Sequence, residues 1–362
     1  MWFIVSTLFQ NVTYIVNRSR MLRLFTILLS SFTLVYYFRG TDGRTTLDYS
    51  VYQGQYYLDS DYFEKGYNIA AHIGRSLNLT YPDFRLLLAS VAVFLFIIGV
   101  YRLTPNPELA ILGYFAGSYL MDIVQIRQFV MLALLVFGIS LVKSENRLVK
   151  VFGLVSMLMA PEFHSLGWIF VLLFPMSFFS VERQLYSLKI VSVIVGVMTL
   201  LFYVLPKSIL ITITAKIMVL LSSRDDVVQN VTTVYSKGSG IKVILLLVII
   251  SIVSLVVAFL MKNGEEETKR NVKLLLFTVY AQLASVILTF MSVDYVRLSR
   301  VSVVLIILLL SNLGIHKYRK NMWLFTIVLA MLSIILQMGV VYIKSGMMVP
   351  YLLHFIDSDI IR

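Results

Sequence analysis

Long apolar runs, broken by short charged or glycine-rich stretches, fill the chain from end to end. Their cores lie at residues 2–16, 22–38, 86–101, 108–121, 128–142, 148–160, 166–179, 188–205, 241–261, 273–291, 299–313 and 322–342. A helix needs ~20 mostly apolar residues to cross a bilayer, with a range of ~17–25. The pattern therefore predicts an all-α, polytopic membrane protein with about twelve transmembrane helices. Residues 1–16 count as a span. Their positive cluster follows the apolar run, whereas in a removable signal peptide it comes first. The whole of 1–362 reads as one integral membrane domain.

The polar breaks set the orientation. Loops 17–23, 102–107, 143–150, 181–189, 262–273 and 316–320 carry Lys and Arg at about three times the density of the loops on the other side. The denser set is cytoplasmic by the positive-inside bias, which places both termini outside. It also places both long loops, 39–85 and 206–242, on the external face. Within the first, Phe63, Tyr67, Ala70, Ile73 and Leu77 recur at helical spacing. They predict an amphipathic helix over 62–79 that lies on the membrane surface or caps a cavity there. The apolar stretch 209–221 gives the second loop a similar interfacial segment.

Composition narrows the chemistry. Apolar residues make up 59% and charged residues 14%, with a mean hydropathy of +0.86; so little charge cannot solvate a soluble sphere. The chain has no cysteine, which removes disulfide, zinc–thiolate, iron–sulfur and thiol chemistry. Its four histidines never sit at the close spacing of a metal-ligand pair. No phosphate-binding glycine pattern points to a nucleotide. The net charge of +12 reflects orientation and anionic lipid or substrate rather than nucleic acid. We expect neither a metal nor a cofactor.

Several charges stand where the membrane begins. Arg39, Asp42 and Asp48 open the first external loop, and Glu64 lies beside the amphipathic stripe. Gln125-Ile126-Arg127-Gln128 joins two apolar cores with almost no linker. An arginine in the bilayer costs at least ~2.5–3.5 kcal/mol at the centre, so Arg127 needs water, a carboxylate or an anionic ligand, and Asp122 is its nearest candidate partner in sequence. Pro161 suits the first position of a helix, which would put His164 in the first turn of the next span. Asp294, Arg297 and Arg300 fall on one helix face, with Arg300 deepest and without a nearby acid. Asp59-Ser60-Asp61 and Asp357-Ser358-Asp359 are D-x-D triplets, read here as solvated charge. Arginines from distant spans thus gather on one membrane side. Their planar forks suit phosphate oxygens, such as those of a lipid pyrophosphate.

These segments resemble the EpsG-like family of Wzy-type polysaccharide polymerases. The resemblance rests on Arg39-Gly40-Thr41-Asp42, Asp48-Tyr49-x-x-Tyr52, Phe63-Glu64-x-Gly66-Tyr67, Gln125-Ile126-Arg127-Gln128 and Phe163-His164-Ser165. It is strong over residues 1–180 and rests on hydropathy beyond them. It implies a bacterial enzyme of the cytoplasmic membrane whose active site is on the external face. Such an enzyme moves a growing glycan from undecaprenyl pyrophosphate onto a lipid-linked repeat unit, making capsule, exopolysaccharide or O-antigen. Arg39, Arg127, Arg297 and Arg300 would hold the pyrophosphate. His164, Glu64 and Asp42 are the candidates for the catalytic base, with His164 slightly favoured. Asp48, Tyr52, Tyr67, Gln125 and Gln128 would contact sugar. Partners would be membrane lipid, the undecaprenyl-pyrophosphate-linked oligosaccharide, and a chain-length regulator or flippase. The alternatives are another polyprenyl-linked glycosyltransferase or ligase, and a lipid-linked oligosaccharide flippase.

The absence of cysteine makes the orientation directly testable. A single Ser60→Cys variant is expected to react with an impermeant maleimide on intact cells, and a Glu265→Cys variant is not. External labelling of Glu265→Cys would invert the topology.

Overall fold

The computed structural model describes residues 2–16, 20–40, 47–204, 209, 240–263, 266–313 and 319–336. They are 88% helical with no strand, so the fold is all-α. Sixteen helices follow one another among the described residues: α1 (Trp2–Val16), α2 (Arg20–Gly40), α3 (Leu47–Tyr57), α4 (Lys65–Ser76), α5 (Tyr81–Leu103), α6 (Pro107–Ala116), α7 (Tyr119–Val124), α8 (Ile126–Val142), α9 (Arg147–Met159), α10 (Gly167–Leu173), α11 (Val181–Val204), α12 (Ile241–Leu260), α13 (Glu266–Leu275), α14 (Phe277–Met291), α15 (Val296–Leu310) and α16 (Arg319–Ile334). Of the expected sequence features, most of loop 206–242, the triplet Asp357-Ser358-Asp359 and Asp42 lie outside the described residues, and Arg39 is described only as backbone.

Five segments among the described residues are long and apolar enough to cross a bilayer: Met21–Phe38, Tyr81–Leu103, Val181–Val204, Ile241–Leu260 and Thr268–Phe290. Helical segments underlie the other expected cores too, but several are short or broken. The core at 108–121 is two pieces, α6 of ten residues and α7 of six. At 1.5 Å per residue these reach only about 15 and 9 Å, too little to cross a hydrocarbon core of about 30 Å. Neither piece crosses alone, but together they return along α5, with Ile123 meeting Arg85 near its start, so the segment runs the length of that helix as a broken one. The core at 148–160 is the unbroken α9, which a 3-10 turn over Ala160–Glu162 ends, whereas in 166–179 a second 3-10 turn over Phe174–Phe178 cuts α10 short.

The broken segment forms the centre. Every residue of α6 but its last is buried, as is every residue of α7 and nearly every residue of α8. α15 is equally enclosed, with only Arg297 reaching solvent. α5 and α9 pack on α8, α1 and α16 on α6, and α14 on α15. Lipid-facing side chains such as Phe94, Phe152, Val193 and Leu245 line the outer helices α5, α9, α11 and α12. The mean composition already required this arrangement, because a helix apolar all round is either buried or in lipid.

Local chemistry starts and joins these helices. Thr80 precedes α5 and donates its hydroxyl to Asp83 in the first turn (2.5 Å), with Pro82 between them where a missing N–H costs nothing. The Asn146 side chain caps α9 by accepting from Leu148 N (2.9 Å). α8 and α9 then meet backbone to backbone at two glycines. A β-carbon on Gly138 would fall 2.5 Å from Met157 Cγ and 2.7 Å from the Gly153 carbonyl, and one on Gly153 would fall 2.7 Å from the Gly138 carbonyl. Close backbone approach of this kind takes the place of the hydrophobic effect between helices in lipid.

The expected amphipathic helix exists as α4, but its buried face differs from the predicted stripe. Gly66, Tyr67, Ala71 and Gly74 face inward, while Ile73 and Leu77 are more than half exposed. The reason is the two glycines. Gly66 lies against the Glu162 backbone, where a β-carbon would sit 2.8 Å from the carbonyl oxygen. Gly74 lies against the Phe84 ring. Small residues let the helix dock closely there, so Ile73 and Leu77 are left to the outer surface.

Replacing Gly153 by Val is expected to force α8 from α9 and cost about 1–3 kcal/mol, the range for overpacking. Thermal unfolding in detergent should show the loss, while the exposed control Gly196→Val, with open space around it, should melt as the parent.

Candidate functional site

Two buried polar layers converge where α7 breaks into α8. Gln125 ends α7 and begins α8 in a non-helical conformation (φ −103°, ψ 64°). Its carbonyl accepts from Gln128 N and Phe129 N (3.0 and 3.3 Å), so it caps the new helix with its own backbone. Beyond the break Arg127 reaches Glu64, while Gln125 and Gln128 both reach Arg300.

Arg127 points to the first external loop. Its guanidinium forms an ion pair with Glu64 through NH1. It lies over the Phe63 ring at 4.1 Å, with Tyr52 at 5.1 Å and Tyr67 at 5.9 Å. Cation–ring attraction is strongest when desolvated, at about 2 kcal/mol or more, and Arg127 is only 9% exposed. Its Nε has no hydrogen-bond partner among the described residues. The second Glu64 oxygen accepts from Ser165 N (3.2 Å). Glu64 therefore joins α8, the start of α4 and the turn after Ala160–Glu162.

Arg300 occupies a second layer and is 1% exposed. Its Nε lies 3.3 Å from Asp122 Oδ1, and Tyr114 donates its hydroxyl to the other oxygen (3.1 Å). NH2 donates to both Gln125 Oε1 (2.5 Å) and Gln128 Oε1. The two amides pass the interaction on. Gln125 Nε2 donates to Asp48 (3.1 Å), and Gln128 Nε2 donates to the Arg297 carbonyl (3.0 Å). Ser118 Oγ donates to the Arg300 carbonyl (3.3 Å), which ties the α6–α7 break to the same helix. A continuous polar chain thus runs from Asp48 through Gln125 and Arg300 to Asp122 and Tyr114.

The expected partners are exchanged. Asp122, the nearest acid to Arg127 in sequence, pairs with Arg300, and Arg127 reaches back to Glu64. The cause is the turn at Gln125, which separates Asp122 and Arg127 onto different helices. Arg297 stays near the surface, 3.5 Å from Asp294 and 37% exposed, and contributes only its carbonyl to the buried network. His164 precedes α10 instead of opening it, because the chain makes a 3-10 turn over Ala160–Glu162 and α10 begins only at Gly167. Its Nδ1 accepts from Leu166 N (3.3 Å). In a neutral ring that leaves the proton on Nε2, which makes Nε2 a donor. The triplet residue Asp59 pairs with Arg75 and takes a left-handed backbone conformation (φ 51°), so it serves the turn after α3.

Sequence reasoning missed Arg85 and Tyr114. Tyr114 gave no signal among so many aromatic residues. Arg85 did: it stands four residues into α5 and is 1% exposed. Counting residues 39–85 as a solvated loop concealed it.

The fold and the site define a multi-pass helical membrane protein with a charged, aromatic-walled centre beside a broken helix. The EpsG family model matches residues 22–353, nearly the whole chain, and the chain belongs to that family. This makes it a membrane protein of the polysaccharide-polymerase type, glycosyltransferase-like, with lipid-linked saccharide as its substrate class. No curated protein and no solved structure matches it.

The Asp122–Arg300 pair gives a stability test. Asp122→Leu leaves Arg300 buried without its carboxylate, and breaking a buried pair costs about 3–5 kcal/mol. Adding Arg300→Met is expected to restore part of the loss, since it removes the unpaired charge but also the donor to Gln125 and Gln128. If thermal unfolding shows the double variant melting no higher than Asp122→Leu alone, the pair does not act as a unit.

Proposed function

We propose that this protein polymerises a bacterial surface polysaccharide at the outer leaflet of the cytoplasmic membrane, taking the growing glycan from undecaprenyl pyrophosphate. The observation that supports it best is the Arg127–Glu64 pair inside the Phe63, Tyr52 and Tyr67 rings. It puts an always-charged fork and a carboxylate in contact at a site walled by the kind of rings on which sugars stack. The polymerisation needs one group for a departing pyrophosphate and one for a hydroxyl proton.

In this reading the terminal hydroxyl of an incoming lipid-linked unit attacks the anomeric carbon of the donor glycan. The new glycosidic C–O bond forms as the bond to the pyrophosphate oxygen breaks. The hydroxyl proton passes to Glu64, and the pyrophosphate leaves with its charge against Arg127. Arg300 acts at one remove, by holding Gln125 and Gln128. Asp48, Tyr52 and Tyr67 face the sugar, Arg297 receives the anion nearer the surface, and Arg39 keeps the pyrophosphate-binding role that the resemblance gives it. Asp42 orients a sugar hydroxyl.

Glu64 is preferred to His164 as the base, because the His164 nitrogen able to accept a proton is the one already engaged by Leu166 N. Glu64 has a natural trigger. Without substrate its carboxylate sits where an anion would bind Arg127. A pyrophosphate that takes Arg127 displaces it, and leaves the carboxylate oxygen free to accept the hydroxyl proton.

That exchange predicts an unusual signature for Glu64→Gln. The amide cannot compete for Arg127, so the lipid pyrophosphate should bind more tightly while turnover falls by at least ~10²-fold, the lower range for a general base. Arg127→Lys should lose turnover and weaken binding together, since the bidentate fork is gone. The assay is purified enzyme with a lipid-pyrophosphate repeat unit, read as polymer formed and as substrate bound. Undiminished turnover in Glu64→Gln would remove Glu64 as base.

A further inference from the structure

Arg85 is as deeply buried as Arg300, yet no carboxylate pairs with it among the described residues. Its partners are main-chain carbonyls. Nε donates to the Phe38 carbonyl (3.0 Å), and NH2 donates to the Ile123 carbonyl. The guanidinium lies over the Tyr49 ring at 5.0 Å.

Both carbonyls belong to helix ends. Phe38 is in the last turn of α2, and Ile123 is in the last turn of α7. Last-turn carbonyls have no partner within their own helix, and a lipid-facing environment offers no water to supply one. Helix C-termini also carry partial negative charge, which favours a cation. One guanidinium thus does for two helix ends what a carboxylate would otherwise do for it.

Two of these contacts lie beside residues of the site. Tyr49 follows Asp48 on α3, and Ile123 stands two residues before Gln125, which ends α7. The Asp48 and Gln125 side chains meet at 3.1 Å. We infer that Arg85 is a positioning residue of the site: by holding the Tyr49 ring and the Ile123 carbonyl together it fixes the two backbone segments that bring Asp48 to Gln125. Arg85 touches neither substrate nor reacting atoms in this role. Its geometric part stands alone, and its effect on turnover rests on the polymerase reading.

Lysine separates the fork from the charge, because one ammonium on a flexible stem cannot hold two carbonyls and a ring in fixed geometry. The chain has no cysteine, so thiols can be placed at will. In an Asp48→Cys/Gln125→Cys variant, dibromobimane is expected to bridge the two thiols and become fluorescent. A Glu145→Cys/Arg270→Cys variant serves as control, since those side chains touch at the protein surface. Adding Arg85→Lys, or Arg85→Met, should slow bridging of the first pair several-fold and leave the control pair unchanged. Unaltered bridging of the first pair in Arg85→Lys overturns the proposal. So does equal slowing of both pairs, which would make Arg85 a support of the whole fold.

Activity adds a second readout in the chain that is otherwise native. Arg85→Lys should lower kcat with little change in KM, because Arg127 remains to bind the anion. Absence of polymerase activity in the parent would refute the functional reading and leave the bridging result intact.

Discussion

An arginine enclosed in apolar surroundings needs acceptors for its N–H groups, and this fold is organised around three that find most of theirs in three different ways. Arg127 takes a carboxylate and a wall of rings. Arg300 takes a carboxylate and two amides. Arg85 takes two helix ends. Each solution reaches across chain distances that no local sequence window spans: Arg127 to Glu64, Arg300 to Asp122, Arg85 to Phe38 and Ile123. The helices that supply these partners are thereby fixed relative to one another, and the break at Gln125 is the point where all three sets meet.

The break itself arises from the same demand. A continuous helix from Pro107 to Val142 would place Asp122 and Arg127 nearly one turn and a half apart and on one rod. It would leave Arg300 without an acid and Glu64 without a cation. Interrupting the helix at Gly117-Ser118 and again at Gln125 costs backbone hydrogen bonds. At Gln125 they are recovered through its own carbonyl and through Arg85, which takes the Ile123 carbonyl. Irregular backbone at membrane depth survives only when protein satisfies it in this way.

The all-α class, the positions of the apolar helices and the importance of Gln125, Arg127 and Gln128 were legible in the sequence, because burial in lipid writes itself as composition and a charge in an apolar run stands out. The pairing was not legible. Asp122 looked like the partner of Arg127 since they are five residues apart, and nothing local announces that the chain turns between them. The face of α4 was misread for a related reason: hydrophobic periodicity ranks side chains by size, whereas Gly66 and Gly74 dock because they have none. Arg85 was passed over because a boundary drawn at the start of the apolar run assigned it to water. His164 was expected one turn too far along, as the 3-10 turn at Pro161 takes up the intervening residues.

Gln125 and Gln128 join the two arginine layers with amides, each turning its oxygen to Arg300 and its nitrogen outward, to Asp48 or to the Arg297 carbonyl. An amide neither gains nor loses a proton in any biological medium. The connection therefore has a fixed direction and a fixed charge, whatever the acidity of the surroundings. Each amide also has one end that only accepts and one that only donates. Reversing either would set an oxygen against Asp48 or the Arg297 carbonyl and an N–H group against the Arg300 guanidinium, so each amide has a single permitted orientation and keeps its partners in a fixed order.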